Sequence, residues 1–198
     1  MIFRAFLAGV VILLVHEGLI FFSVVRNGLI DPRADNGYLP LEKWASRAVF
    51  VAIRRDSANL QSPIQPSDDN LTAGIKIYGA KCAICHGASD ANASDIAKGL
   101  YIQAPQLAKD GVEDDPVGET YYKVKHGMRL TPMPAFGGSL SDDQVWQVAE
   151  FLKTMDKLPP GPQAEWKKIP SQANPANASP PVGAPPSTPT PNPSSSTT

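Results

Sequence analysis

Residues 81–87 read KCAICHG. Cys82 and Cys85 are the only two cysteines among 198 residues, and His86 stands directly behind the second. Upstream, Leu71, Gly74, Ile75 and Tyr78 lie at i, i+3, i+4 and i+7, and the cysteines follow at i+11 and i+14. That spacing predicts one stripe on a helix. Asn70 is its expected N-cap. Both thiols then leave the same helix face, and the imidazole follows at the helix end.

Two thiols one helical turn apart match the two vinyl groups of a single porphyrin, and an imidazole one residue later reaches the iron from one side. CxxCH is the signature of c-type haem attachment. The rival readings fit less well. A zinc site built from Cys82, Cys85 and His86 or His126 still lacks a ligand. A thioredoxin-like CxxC follows a strand and opens a helix, whereas this one closes a helix. Two cysteines are also too few for a disulfide scaffold.

An electron-transfer haem with six ligands needs a second strong-field group, and a thioether raises the reduction potential. Of four methionines, Met1 is the start and Met155 falls in a late helical stripe. Met128 and Met133 remain, both within HGMRLTPMPAFGG, with His126 as a third candidate.

CAICHG, the later PMPAFG and the final segment SDDQVWQVAEFLKTM occur in an order that resembles the class I (c-type) monohaem cytochromes c. The likeness is to the membrane-anchored haem domains of bacterial oxidases and dehydrogenases, and it covers about Leu71 to Leu158. It implies an all-α, small cytochrome c fold around one covalently bound haem c. Cys82 and Cys85 would carry the thioethers, with His86 as the proximal iron ligand and Met133 as the distal one. Pro134 and Phe136 would shape the loop around the sulfur, and Met128 is the competitor close by in sequence. The resemblance also implies a proline carbonyl that accepts from the second nitrogen of the ligating imidazole. Pro105, in QAPQLAK, fits that role, with Leu107 as an apolar wall. Tyr121, Tyr122 and Arg129 lie near the place of the propionate donors. A close crossing of first and last helices, on a glycine and an aromatic, matches Gly74 and Tyr78 facing Val148, Phe151 and Leu152.

The last helix carries its own start signal, the capping-box pattern Ser141-x-x-Gln144. Val145, Val148, Ala149, Leu152 and Met155 form its stripe, and Pro159-Pro160 is the expected stop. A mid-helix glycine costs about 1 kcal/mol against alanine, so Gly74 calls for a compensating contact.

Outside this domain the chain changes character. After a short segment, 1–4, the stretch AFLAGVVILLVHEGLIFFSVV at 5–25 is flanked by Arg4 and Arg26. At about 1.5 Å per residue it spans the hydrocarbon core. Its apolar run exceeds a typical signal-peptide core and no small-x-small site follows closely, so a retained transmembrane anchor is expected. His16 and Glu17 near its middle cost about 2–3 kcal/mol each on insertion scales. Either the long apolar flank tolerates them or they face a partner helix.

Residues 26–70 read as a linker, turn-rich around Asp31-Pro32 and Asn36-Gly37. Within it, a helix at about 41–55 presents Leu41, Trp44, Ala45, Ala48, Val49, Ala52 and Ile53 as one apolar face, among Lys43, Arg47, Arg54 and Arg55. It could lie on lipid, on the domain or on another subunit. Pro63 and Pro66 mark the expected domain boundary. Residues 159–198 hold twelve of the twenty prolines and read as a disordered Pro/Ser/Ala-rich tail.

A net charge of −1 gives no sign of nucleic-acid binding. Lys123, Lys125 and Arg129 form a basic cluster, and Glu113, Asp114 and Asp115 an acidic turn. The resemblance implies a carrier rather than an enzyme, cycling one electron within a respiratory chain, with redox proteins as partners. It places the haem domain on the periplasmic side of the bacterial inner membrane. Two alternatives stand beside it: a relay subunit of a larger membrane oxidoreductase, and a haem sensor or reductase with an open iron site.

Overall fold

The computed structural model describes residues 2–28, 33–36 and 40–172, which are helical with no strand among them. The chain divides into two compact units, Met1–Leu39 and Pro40–Thr198. The first holds α1, Ile2–Arg26, a helix of 25 residues with no buried position. It is long and apolar enough to cross a membrane. The bends expected at Asp31-Pro32 and Asn36-Gly37 fall wholly or partly outside the described residues.

The second unit is built on α3, Asp68–Lys81, and α8, Asp142–Lys153. Leu71, Ile75 and Tyr78 of α3 meet Val145, Val148, Ala149, Phe151 and Leu152 of α8 in one buried cluster. The two helices close on Gly74, as expected. A Cβ built there would lie 2.1 Å from the Gln147 carbonyl oxygen and 3.1 Å from Phe151 Cβ. The closest partner is therefore the backbone of Gln147, which side-chain periodicity does not reveal. The capping box at Ser141 and Gln144 is present in both directions.

Three boundaries differ from expectation. α3 begins earlier: Ser67 is the N-cap, and its hydroxyl accepts from the Asn70 amide at 3.3 Å. Asp68 and Asp69 occupy the first turn, where the exposed amides favour acidic side chains. Asn70 instead joins the two main helices, its side-chain oxygen accepting from Gln147 Nε2 at 3.1 Å.

The linker is not only a linker. α2, Pro40–Ser57, buries its C-terminal part against α7, Val117–His126. Ile53 is 5% exposed. Leu60 follows, its carbonyl oxygen 2.4 Å from where a Cβ on Gly118 would stand. Of the environments open to α2, one side therefore takes the domain itself.

The tail assignment from residue 159 also needs correction. α8 ends at Lys153 with Thr154 as its C-cap, well before the prolines, and a 3-10 turn at Met155–Lys157 leads into α9, Pro160–Lys168. Proline in a first turn lacks only an N–H that would have no helical partner there, so Pro160 starts a helix instead of stopping one. Trp166 is buried, its ring 5.3 Å from Tyr78 and 5.2 Å from Phe151, both edge-on. Proline-rich composition hid a core tryptophan. Residues 173–198 of the expected tail lie outside the described residues.

Candidate haem attachment site

α3 does not run through both cysteines. It ends at Lys81, Cys82 takes φ −113° and ψ −37°, and a separate turn α4, Ala83–His86, carries Cys85 and His86. The break follows the motif's own hydrogen bonds. The Cys85 and His86 amides both donate to the Cys82 carbonyl, at 3.0 and 2.9 Å, while Gly87 closes the turn at φ +76°. The two thiols therefore belong to one tight turn instead of one long stripe.

That turn is held from four sides. The Tyr78 hydroxyl, buried in the core, donates to the carbonyl of Gly87 at 2.8 Å and lies 3.2 Å from that of His86. Gln106 Nε2 donates to the Cys85 carbonyl at 3.1 Å. The Ser94 hydroxyl caps α5, Asp95–Lys98, and donates to the Ile84 carbonyl at 2.5 Å. Fourth, His86 Nδ1 lies 2.9 Å from the Pro105 carbonyl oxygen. A carbonyl only accepts, so Nδ1 carries the proton and Nε2 keeps its lone pair.

Electrostatics agree with a neutral donor set. Burial pushes the His86 imidazole below its ordinary pKa, partly opposed by the Pro105 bond. Burial, helped by the neighbouring Cys85, pushes the Cys82 thiol up to about 12, and burial also raises Cys85. Both cysteines are free thiols. Among the described residues no three His, Cys, Asp or Glu side chains converge as a metal cluster, which leaves the zinc reading without a ligand set.

The methionine loop is built on a second glycine. Gly127, at φ +66°, ends α7, and a Cβ there would fall within 2.8 Å of Met133 O, Pro134 C and Ala135 N. The loop thus lies on the glycine. The Met128 amide donates to the Met133 carbonyl, and the Thr131 hydroxyl donates to the Met128 carbonyl at 2.7 Å. Phe136 and Gly137 amides then pin the loop to the carbonyls of Val124 and Lys125. Met133, Phe136, Leu107 and Cys82 all pack, partly buried, against one core cluster, whereas Pro134 and Arg129 are exposed. Leu130 is 54% exposed in the left-handed region at φ +63°.

The candidates for propionate contact separate. Tyr121 is a core residue, stacked on Trp146 at 3.9 Å with its hydroxyl accepting from Lys125. Tyr122 tilts against His126. The basic cluster is largely neutralised within the fold: Lys123 reaches Asp115 and Glu119 at 2.7 Å, and Lys125 reaches Asp142 at 2.7 Å. The acidic turn, which includes the 3-10 turn Val112–Asp114, is tied as well, by Lys153 Nζ on the Glu113 and Asp115 carbonyls.

Sequence reasoning missed Gln106, Ser94 and Gly127. A serine ahead of Asp95 is a readable N-cap signal. Nothing in the sequence marks Gln106, whose Oε1 is buried without a hydrogen-bond partner.

The donor set fits a covalently held porphyrin: two free thiols on one turn, an imidazole with Nε2 available, and a thioether on a loop packed against the same core. The family model described as cytochrome c oxidase, cbb3-type, subunit III matches residues 69–152. Cytochrome c6 of Leptolyngbya boryana is 40% identical over 92 residues, which cover 46% of this chain and 98% of that protein. The cbb3-type cytochrome c oxidase subunit CcoP of Azospirillum brasilense is 30% identical over 158 residues, covering 71% of this chain and 48% of the subunit. Thiosulfate dehydrogenase of Stutzerimonas stutzeri is 30% identical over 92 residues, covering 44% of this chain. The chain spans only 28% of that dehydrogenase's length. No solved structure matches the chain.

Proposed function

The chain belongs to the c-type cytochromes, and on that premise we propose that it is a membrane-anchored, single-haem electron carrier ligated by His86 and Met133. When bound, haem c supplies one-electron Fe(III)/Fe(II) cycling. Cys82 and Cys85 would hold the ring covalently through their thiols. His86 supplies Nε2, and the Pro105 carbonyl holds the imidazole in that tautomer. Met133 would supply its thioether as the second iron ligand, which makes the bound haem a carrier of electrons. The observation that carries this reading is the 2.9 Å approach of His86 Nδ1 to Pro105 O.

α1 is the anchor, with the haem domain on the periplasmic side, where bacteria attach haem covalently. The partners are redox proteins of a respiratory chain. A relay role inside a larger membrane oxidoreductase is the second reading, favoured by the match to CcoP over 71% of this chain. Co-purification of further subunits from mild detergent separates the two.

An absorption spectrum of the oxidised protein tests the ligand assignment. The weak far-red band of a ferric iron–thioether bond is expected in the wild type and in Met128→Ala, and absent in Met133→Ala. The reverse pattern moves the ligand to Met128. Rapid binding of CO by the ferrous wild type at neutral pH would instead favour an open iron site.

A further inference from the structure

The apolar face expected on α2 is two faces. Glu42, Ser46, Val49, Ile53 and Ser57 point one way, toward the domain. Ile53 and Ser57 are buried there, and Glu42 accepts from the Tyr101 hydroxyl. Leu41, Trp44, Ala48 and Val51, at i, i+3, i+7 and i+10, point the other way. Leu41 is 78% exposed, Trp44 71% and Val51 70%. A helix already docked on its own domain therefore presents a second apolar face outward.

Charge tells what suits that face. At 100° per residue, Lys43, Arg47 and Arg54 run along one edge of the outer stripe and Arg55 falls within it. Arg54 also reaches Glu119 of α7 at 3.7 Å, and Arg55 reaches Asp56 at 2.8 Å. Both acids of the helix, Glu42 and Asp56, fall toward the docked side. The outer face combines apolar side chains with a cationic border. A helix of that kind lies in the headgroup layer of an anionic bilayer, and an indole prefers that depth. Distance favours it too. Thirteen residues separate Arg26 from Pro40, a tether that reaches about 45 Å at full extension. An anchored α1 thus keeps α2 at high effective concentration beside the lipid.

We propose that the Leu41–Trp44–Ala48–Val51 face of α2 seats on the anionic membrane surface, so that α2 clamps the haem domain to the bilayer. The inference rests on the reading of α1 as an anchor.

The test uses the full-length holoprotein, whose two native cysteines are consumed by haem, so that an introduced cysteine takes a spin label uniquely. Labels at Ala48→Cys and Val51→Cys are compared with Asp143→Cys in the exposed first turn of α8, in phosphatidylcholine vesicles with and without phosphatidylglycerol. With the anionic lipid, positions 48 and 51 are expected to lose most of their collisions with a water-soluble nickel relaxant and to gain collisions with oxygen. Position 143 stays exposed to nickel. Adding Arg47→Glu and Arg55→Glu restores the nickel collisions at 48 and 51. Equal nickel exposure at all three positions overturns the proposal, as does shielding that appears only when a partner protein is added. Flotation of the protein with the vesicles reports α1 separately: protein left unfloated means the anchor reading has failed, and floated protein with exposed labels means that α2 has.

Discussion

The Tyr78 hydroxyl donates to the Gly87 carbonyl at 2.8 Å, from a ring that is fully buried between Phe151 and Trp166. One side chain thus joins the helix-crossing core to the last residue of KCAICHG. Burial and the adjacent Cys82 raise the phenol's pKa strongly, so it stays protonated and remains a donor. The geometry of the attachment turn is therefore set by the core as well as by its own hydrogen bonds.

Tyr78→Phe keeps the ring packing and removes only that donor. Two partly desolvated carbonyls then lose a partner, which costs about 1–2 kcal/mol. Denaturant unfolding of the holoprotein should show a lower midpoint with an unchanged slope. An unchanged midpoint would mean that water replaces the hydroxyl.

Gly74→Ala distinguishes a propensity argument from a packing one. Helix propensity alone predicts a gain of about 1 kcal/mol. The new methyl group, however, would lie 2.1 Å from a backbone oxygen of Gln147. Backbone cannot rotate away as a flexible side chain does, so α3 and α8 must separate, at a net cost of about 1–3 kcal/mol. A raised midpoint in the same unfolding experiment would refute the close crossing.

These two residues also show what the sequence makes legible. The stripe from Leu71 to Tyr78 and the capping box are readable because each is a side-chain pattern with a fixed geometric consequence, whereas the Gly74 crossing and the Pro105 carbonyl come only from the family resemblance. The end of α3 was not readable. Helical spacing continues through Cys82 and Cys85, and only the backbone bonds to the Cys82 carbonyl reveal that the helix restarts. α9 was lost because proline counting averages over a segment, and one tryptophan at the right turn outweighs that average. The outer face of α2 was merged with the inner one because alanines bridge the two stripes.

Trp166→Ala tests the corrected boundary. If the compact unit ended at Leu158, the substitution would be nearly neutral. With Trp166 wedged between Tyr78 and Phe151, it leaves a cavity beside both rings and costs about 3–5 kcal/mol. Truncation after Leu158 should destabilise at least as much, since it also removes Ile169, whose side chain lies over Gly79. Thermal unfolding of both variants with haem attached decides the matter, and a neutral truncation restores the shorter domain.

Acid should loosen the tie between α7 and α8. The Asp142 carboxylate accepts from Lys125 Nζ at 2.7 Å, and that bond holds its pKa below the ordinary value. Because the folded pKa is the lower one, the unfolded chain binds the proton first as pH falls. The contribution is therefore complete above the ordinary carboxylate range and is lost as pH drops from there through the folded pKa. Asp142→Asn removes the charge at every pH, so its unfolding midpoint should sit below wild type near neutrality. The two curves should converge below about pH 3, where the carboxylate is protonated in either state. Asp142 is exposed and Lys125 only partly buried, which keeps the difference small and lets salt weaken it. A gap that persists unchanged into acid would assign the effect to the side chain's place in the first turn of α8 instead of to its charge.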